Sequence, residues 1–454
     1  MKRSKLVFIL LTLLVCFNTQ AQEQSFQFTN GKTSDKINFQ LINNLIIIPI
    51  VINDMELSFI LDSGVTKPIL FDNLNGLEVL NSETNEIIFL KGLGEGSLLE
   101  AIKSKNNKIT IGNAEKQQQT IFAIFNGNLD YTPKLGIPIH GIIGHDVFKD
   151  FVVEINYRSK YIKLTSPENY SDKLCRSCEK LPLSFHNSKP YILAEITMEN
   201  KQIPVKMLLD TGASDALWLF EDASQEIVST ANYFDDFLGH GLSGSLYGKR
   251  SKLESLTIAS FVIYESLVAF PTGESIETLK KIKDRNGTIG AEILKRFHVV
   301  FNYQESYIIL KKNSNFHGEF SYNKSGIDIE HRGVRIVKNY QYTLDNGRLI
   351  FGKSVDITRH ISNKSLEDDF RLETAPAFEI VNLRPNSPAK LVGLQLGDVI
   401  LEINGTDVNK YKLQEVIHLF KGREGKKISI KIERNEKIFL YEFHLKDLLK
   451  QKQP

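Results

Sequence analysis

A chain of 454 residues exceeds one ordinary hydrophobic core, so two or three domains are expected. With 42% hydrophobic and 24% charged residues, it has the composition of a soluble globular protein. The formal net charge of +2, with no basic block lacking balancing acids, gives no electrostatic case for a nucleic-acid partner.

The chain begins with a basic stretch (MKRSK), an apolar stretch (LVFILLTLLVCF) and a small, polar exit (NTQAQ). This is the layout of a secretory signal peptide over residues 1–21, with Thr19 and Ala21 satisfying the small-residue rule for cleavage. The apolar run is short for a membrane-spanning helix, and no later run could span, so no transmembrane segment is expected once the signal is removed. The mature protein is expected to be exported, either periplasmic or secreted. Membrane anchoring through a lipid on Cys16 is the lesser alternative, because Val15 is bulky for that cleavage.

Two stretches with period-two alternation follow, LIIIPIVINDMELSFILD and YILAEITMENKQIPVKMLLD. Both are rich in Ile, Val and Leu and carry a two-residue turn signal, so both predict β-hairpins. Each ends in three apolar residues, an acid, a hydroxyl residue and a glycine: Asp62-Ser63-Gly64 and Asp210-Thr211-Gly212, 148 residues apart. Downstream, GIIGHDVFKDFVVEINYRSKYIKL (141–164) is matched by GTIGAEILKRFHVVFNYQESYIIL (287–310), 146 residues on. Two matched pairs at nearly one offset indicate a duplicated unit, placed at residues 37–166 and 180–312.

The segment between the copies holds Cys175 and Cys178, the cysteines left after signal removal. Such a pair can be a short disulfide, a free pair or a redox motif, and export favours the disulfide. His140, His145, His240 and His298 fall at no ligand spacing, so no metal is expected.

In each D-[ST]-G triplet the glycine lets the backbone turn sharply after the acid. The hydroxyl can fix the resulting loop by bonding to backbone. Two such loops facing each other bring two carboxylates together, and like charges at that range share a proton. One acid can then take a proton from water while the other donates to a substrate carbonyl.

These residues resemble the aspartic proteases of the retropepsin/pepsin superfamily. The resemblance covers about 37–312 and implies a bilobal chain supplying both acids of a dyad, Asp62 and Asp210. It implies no cofactor, a peptide or protein substrate, and a monomer. Ser63, Gly64, Thr211 and Gly212 would shape the two loops. Val65 and Ala213 stand where pepsins usually place a hydroxyl, so Thr66 and Ser214 are the candidates to take over its support. Two Gly-rich stretches, 91–102 and 239–250, are candidate flaps, with Gly92, Leu93, Gly94, Gly241, Leu242 and Gly244 facing substrate.

Residues 331–371 contain strand-like stretches that belong clearly to neither neighbour. Beyond them, Ser387-Pro388-Ala389, Gly393-Leu394, Gly397-Asp398-Val399-Ile400 and Ile403-Asn404-Gly405 resemble a PDZ domain of the kind attached to exported bacterial proteases, over about 372–447. The resemblance implies a peptide ligand at an open sheet edge. Its peptide loop aligns near Ala375-Pro376-Ala377-Phe378, which makes Phe378 and Ile380 candidate groove residues. The expected fold is mainly β: two duplicated acid-protease lobes followed by a small α+β PDZ domain. The expected function is an exported aspartic endopeptidase. The alternative is an inactive peptide-binding scaffold or sensor of the same folds.

Overall fold

Alternating apolar residues and two-residue turns build hairpins in both copies. The turns at Asn53-Asp54 and Glu199-Asn200 have both central residues at positive φ, the geometry that matches strand twist in a tight hairpin. The computed structural model describes residues 24–71, 76–81, 85–94, 96, 98–124, 130–172, 175–280, 282, 285–340, 342–345, 348–351 and 370–450. The signal-peptide stretch and much of the 331–371 connector lie outside the described residues. The protein is mainly β.

In the first copy, strand Met55–Leu61 runs parallel to Gly141–Ile143, which lies antiparallel to Ile69–Phe71, itself parallel to Ala114–Ile124. In the second copy, Lys201–Leu209 runs parallel to Gly287–Ile289, which lies antiparallel to Leu217–Leu219, itself parallel to Leu267–Pro271. The registers also match. Leu61 pairs with Ile143 and Leu209 with Ile289, each one residue before its aspartate.

The two copies share a third, six-stranded sheet. At its centre Val152–Asn156 pairs antiparallel with Phe297–Asn302. Glu154 sits opposite Val300, its own counterpart at the offset of 146, so a pseudo-twofold axis passes between them. Buried residues from both copies, including Phe148, Ile155, Phe301 and Tyr303, form one apolar core. That continuity makes the halves a single folded body with the aspartate loops facing the axis.

Cys175 and Cys178 form a disulfide beside strand Cys178–Pro182, at the outer edge of the shared sheet. The C-terminal unit is a separate sheet with its own core. Its strand order is Ile327–Tyr340, Phe370–Leu383, Val399–Ile403, Lys427–Arg434, Lys437–His444, with helices Pro388–Leu391 and Leu413–Phe420. The connector thereby gains an assignment. Strand Ile327–Tyr340 pairs along Phe370–Leu383, so those parts of 331–371 extend this sheet, while Tyr342–Asp345 and Arg348–Phe351 pair with each other as a separate hairpin.

Candidate functional site

Each aspartate caps a strand and is held by the short strand beside it. Asp62 N–H donates to Ile143 O (2.8 Å) and Asp210 N–H to Ile289 O (3.0 Å). The chain then turns back. Gly64 N–H donates to Asp62 Oδ1 (2.6 Å) and Gly212 N–H to Asp210 Oδ1 (2.9 Å), so each carboxyl group is fixed by the glycine of its own triplet. A Cβ on Gly212 would lie 2.2 Å from Asp62 Cγ, and one on Gly64 2.9 Å from Asp210 Oδ2. Only glycine lets the two loops approach so closely.

The hydroxyls cross between the loops. Thr211 Oγ1 accepts from Ser63 N–H (3.0 Å) and donates to Leu61 O (2.8 Å). Ser63 Oγ accepts from Thr211 N–H (3.1 Å) and donates to Leu209 O (2.8 Å). Both side chains are fully buried, and all four bonds obey the pseudo-twofold. Thr66 and Ser214 do not take that part. Among the described residues neither hydroxyl makes a hydrogen bond; Ser214 contributes its carbonyl, which accepts from Asn44 Nδ2 (2.8 Å). The support comes from the residue directly after each acid, and it reaches the opposite loop.

Behind the loops the GIIG and GTIG segments fit by close approach. A Cβ on Gly144 would lie 1.8 Å from Asp62 O, and one on Gly290 2.2 Å from Asp215 O. A side chain at either position would push its loop out of place.

The two carboxyl groups face each other across the axis: a single Cβ on Gly64 would stand 2.9 Å from Asp210 Oδ2 and 3.0 Å from Asp62 Oδ1. Burial, and then the charge of Asp210, push the Asp62 carboxyl well above the usual carboxylate range; the Gly64 amide and the more distant Lys189 ammonium oppose this. Two carboxyl groups this close share one proton, and the titration belongs to the pair. Tyr131, which neither motif signals, lies close enough that burial and the Asp62 charge push its phenol up to about 12. Its ring packs on Phe71 (5.3 Å between centroids). Tyr303, also absent from the sequence reading, is buried near both acids, with its hydroxyl unpartnered among the described residues.

The two Gly-rich stretches are hairpin tips, and they meet. The first joins Glu86–Leu90 to Leu99–Ile111; the second joins Phe234–Gly241 to Gly244–Lys252. Gly92 N–H donates to Ser243 Oγ (2.9 Å) and Ser243 N–H to Leu93 O (2.7 Å). A Cβ on Gly92 would stand 2.4 Å from Leu242 Cβ, one on Gly241 2.2 Å from Leu93 O, and one on Gly94 2.5 Å from Gly244 N. The tips also exchange apolar side chains. Leu93 packs in the second copy's cluster with Phe220, Leu246 and Trp218. Leu242 packs in the first copy's cluster, which also holds Val65 of the Asp62 loop and Tyr131. Of the tip residues, Ser243 was missed in the sequence; its only signal was its place between Leu242 and Gly244.

The expected peptide groove of the C-terminal unit needs correction. Phe378 (1% exposed) and Ile380 (0%) lie in the core, on a strand paired on both sides. The edge strand is Ile327–Tyr340, beside which helix Leu413–Phe420 lies, the strand–helix pair between which an added peptide strand would enter. The loop entering that edge is already satisfied internally. Asn323 Oδ1 accepts from Ser325 N–H (3.1 Å) and Gly326 N–H (3.2 Å), and Ser325 Oγ accepts from Ile327 N–H (3.0 Å). Those amides are not free to bind a terminal carboxylate.

Residues 379–434 match the family model of the PDZ domain. The C-terminal unit therefore contains a PDZ domain, a module that supports peptide or protein binding. No curated protein matches the chain. Among the described residues no helix is long and apolar enough to cross a membrane. No group of three or more His, Cys, Asp or Glu side chains there is placed to hold a metal.

Proposed function

We propose that this protein is an exported aspartic endopeptidase whose PDZ domain binds peptide or protein. The observation that carries the reading is the facing Asp62–Asp210 pair, held by two loops that repeat each other bond for bond. With one proton between them, the pair is arranged as a general acid and a general base side by side, and we take Asp62, whose carboxyl is pushed up by burial and by the Asp210 charge, as the acid. Asp210 takes a proton from water as the water oxygen attacks the scissile carbonyl carbon. Asp62 gives its proton to the carbonyl oxygen. The resulting tetrahedral diol collapses: the C–N bond breaks, the leaving nitrogen takes the proton from Asp210, and one diol hydroxyl returns its proton to Asp62. No covalent intermediate forms and both acids end as they began. The export reading rests on the N-terminal sequence, and a mature chain starting at Gln22 in the periplasmic or extracellular fraction is its test.

One observation favours a second reading. The hairpin tips are interlocked above the loops, as suits a latent enzyme or a scaffold that holds peptide without cutting it. A peptide-library digest from about pH 3 to about pH 8 separates the two. The proteolytic reading expects cuts by the wild type that vanish in Asp62→Asn and Asp210→Asn. Binding of library peptides with no cleavage at any pH would leave the scaffold.

A further inference from the structure

The PDZ domain touches the stem of the second hairpin and, in the first copy, a segment next to the cluster that receives the hairpin's tip. At the stem, Arg384 Nε donates to Asp236 Oδ1 (2.9 Å), and the guanidinium stacks on Phe234 (4.5 Å to the ring centroid). Arg384 is 8% exposed, and its other nitrogens donate to Asn323 O in the loop that enters the PDZ edge strand. Tyr322, just before that loop, packs its ring on Phe234 as well (5.1 Å). Phe234 and Asp236 open the strand that ends at the tip.

In the first copy, the short helix Thr132–Leu135 lies against strand Ile327–Tyr340. Gln414, in the first turn of the PDZ helix, donates from Nε2 to Leu135 O. Gly136 ends the short helix in the left-handed conformation (φ 70°), and a Cβ there would stand 3.3 Å from Leu413 Cβ. Segment 132–136 thus contacts both walls of the groove where an added peptide strand would enter. Tyr131, Leu135, Ile137 and Ile139 from the same stretch form part of the cluster that receives Leu242.

We propose that segment 132–136 is a built-in occupant of the PDZ groove, and that an extended internal peptide displacing it releases the hairpin tips and opens the cleft. This rests on reading the groove as a peptide site. The self-satisfied loop argues against a terminal carboxylate as the recognised feature. Each contact favours the closed arrangement, so a ligand that binds only the open one shifts the population toward it.

The single tryptophan, Trp218, packs beside Leu93 in the second copy's cluster, so its exposure reports whether the tips are seated. The experiment is acrylamide quenching of Trp218 in the full chain. Arg384→Ala with Gln414→Ala should raise the quenching constant about twofold or more. A Gly136→Cys, Leu413→Cys cross-link should hold it at or below the wild-type value. A synthetic peptide of residues 130–138, at millimolar concentration, should raise quenching in the wild type and leave the cross-linked chain unchanged. Should the double variant fold poorly by circular dichroism, the cross-link and peptide arms still decide. Equal quenching of the wild type and cross-linked chain with and without peptide overturns the proposal. The readout needs no cleavage, so its failure is separate from failure of the proteolytic reading.

Discussion

The most informative atoms in the molecule are those of Asp62 and of the crossed hydroxyls. Burial and Asp210 raise the Asp62 pKa, so the folded chain holds that proton more tightly than the unfolded chain does. The stability linked to it is full below the unfolded value, about 4, and is lost as pH rises toward the folded one. Asp62→Asn removes that loss. Its Tm should exceed the wild type's by about 2–5 °C near pH 8 and by less near pH 4, as calorimetry would show. Equal shifts at both pH values would contradict the raised pKa. Thr211→Val strips the partners of Ser63 N–H and Leu61 O inside a buried site. That should cost about 2–4 kcal/mol in denaturant unfolding, with Thr211→Ser restoring most of it. The triplets were legible because acid, hydroxyl and glycine are adjacent in sequence. The destination of each hydroxyl was not, since its partner lies on the other copy; the support expected of Thr66 and Ser214 comes from Ser63 and Thr211.

Among the elements, the hairpin tips show what period and glycine content can and cannot reveal. The two Gly-rich stretches were readable as mobile turns between strands. Their meeting was not, because it depends on side-chain exchange between Leu93 and Leu242 across copies. Gly241→Ala puts a methyl 2.2 Å from Leu93 O, a backbone atom that cannot turn aside. The tips should part, giving a red shift of Trp218 emission with a stability loss of no more than about 2 kcal/mol, because the lobe cores are untouched. An unchanged emission maximum would mean that the tips tolerate the methyl. The PDZ edge was misread for a related reason. Phe378 lies on an apolar strand whose alternation suits an edge or an interior position equally, and position in a sheet is set by long-range pairing.

At the scale of the whole molecule, duplication is the organising fact. One unit, used twice, sets the antiparallel pair at the axis, the shared core and the facing loops; the offsets of 148 and 146 show the duplication and the facing loops, while the strand pair and the shared core rest on pairing between copies that no local pattern carries. The disulfide contributes at a lower level. Cys175 and Cys178 close a loop with a sequence separation of 3, so removing both should lower stability by about 2 kcal/mol or less. A larger loss on chemical denaturation would mean that the bridge positions the edge strand Cys178–Pro182 and does more than shorten the unfolded chain. The PDZ domain adds contacts at the stem of one hairpin and beside the cluster that receives its tip, a coupling no local motif could announce. The central claim, that two facing aspartates hydrolyse peptide bonds, is tested most directly by the rate of cleavage of the best-cut library peptide across pH. The wild type should show an acid-side profile, and the rate should fall by about a thousandfold or more in both Asp62→Asn and Asp210→Asn. A wild type that cuts no peptide, or a variant of either aspartate that cuts as fast as the wild type, would contradict it.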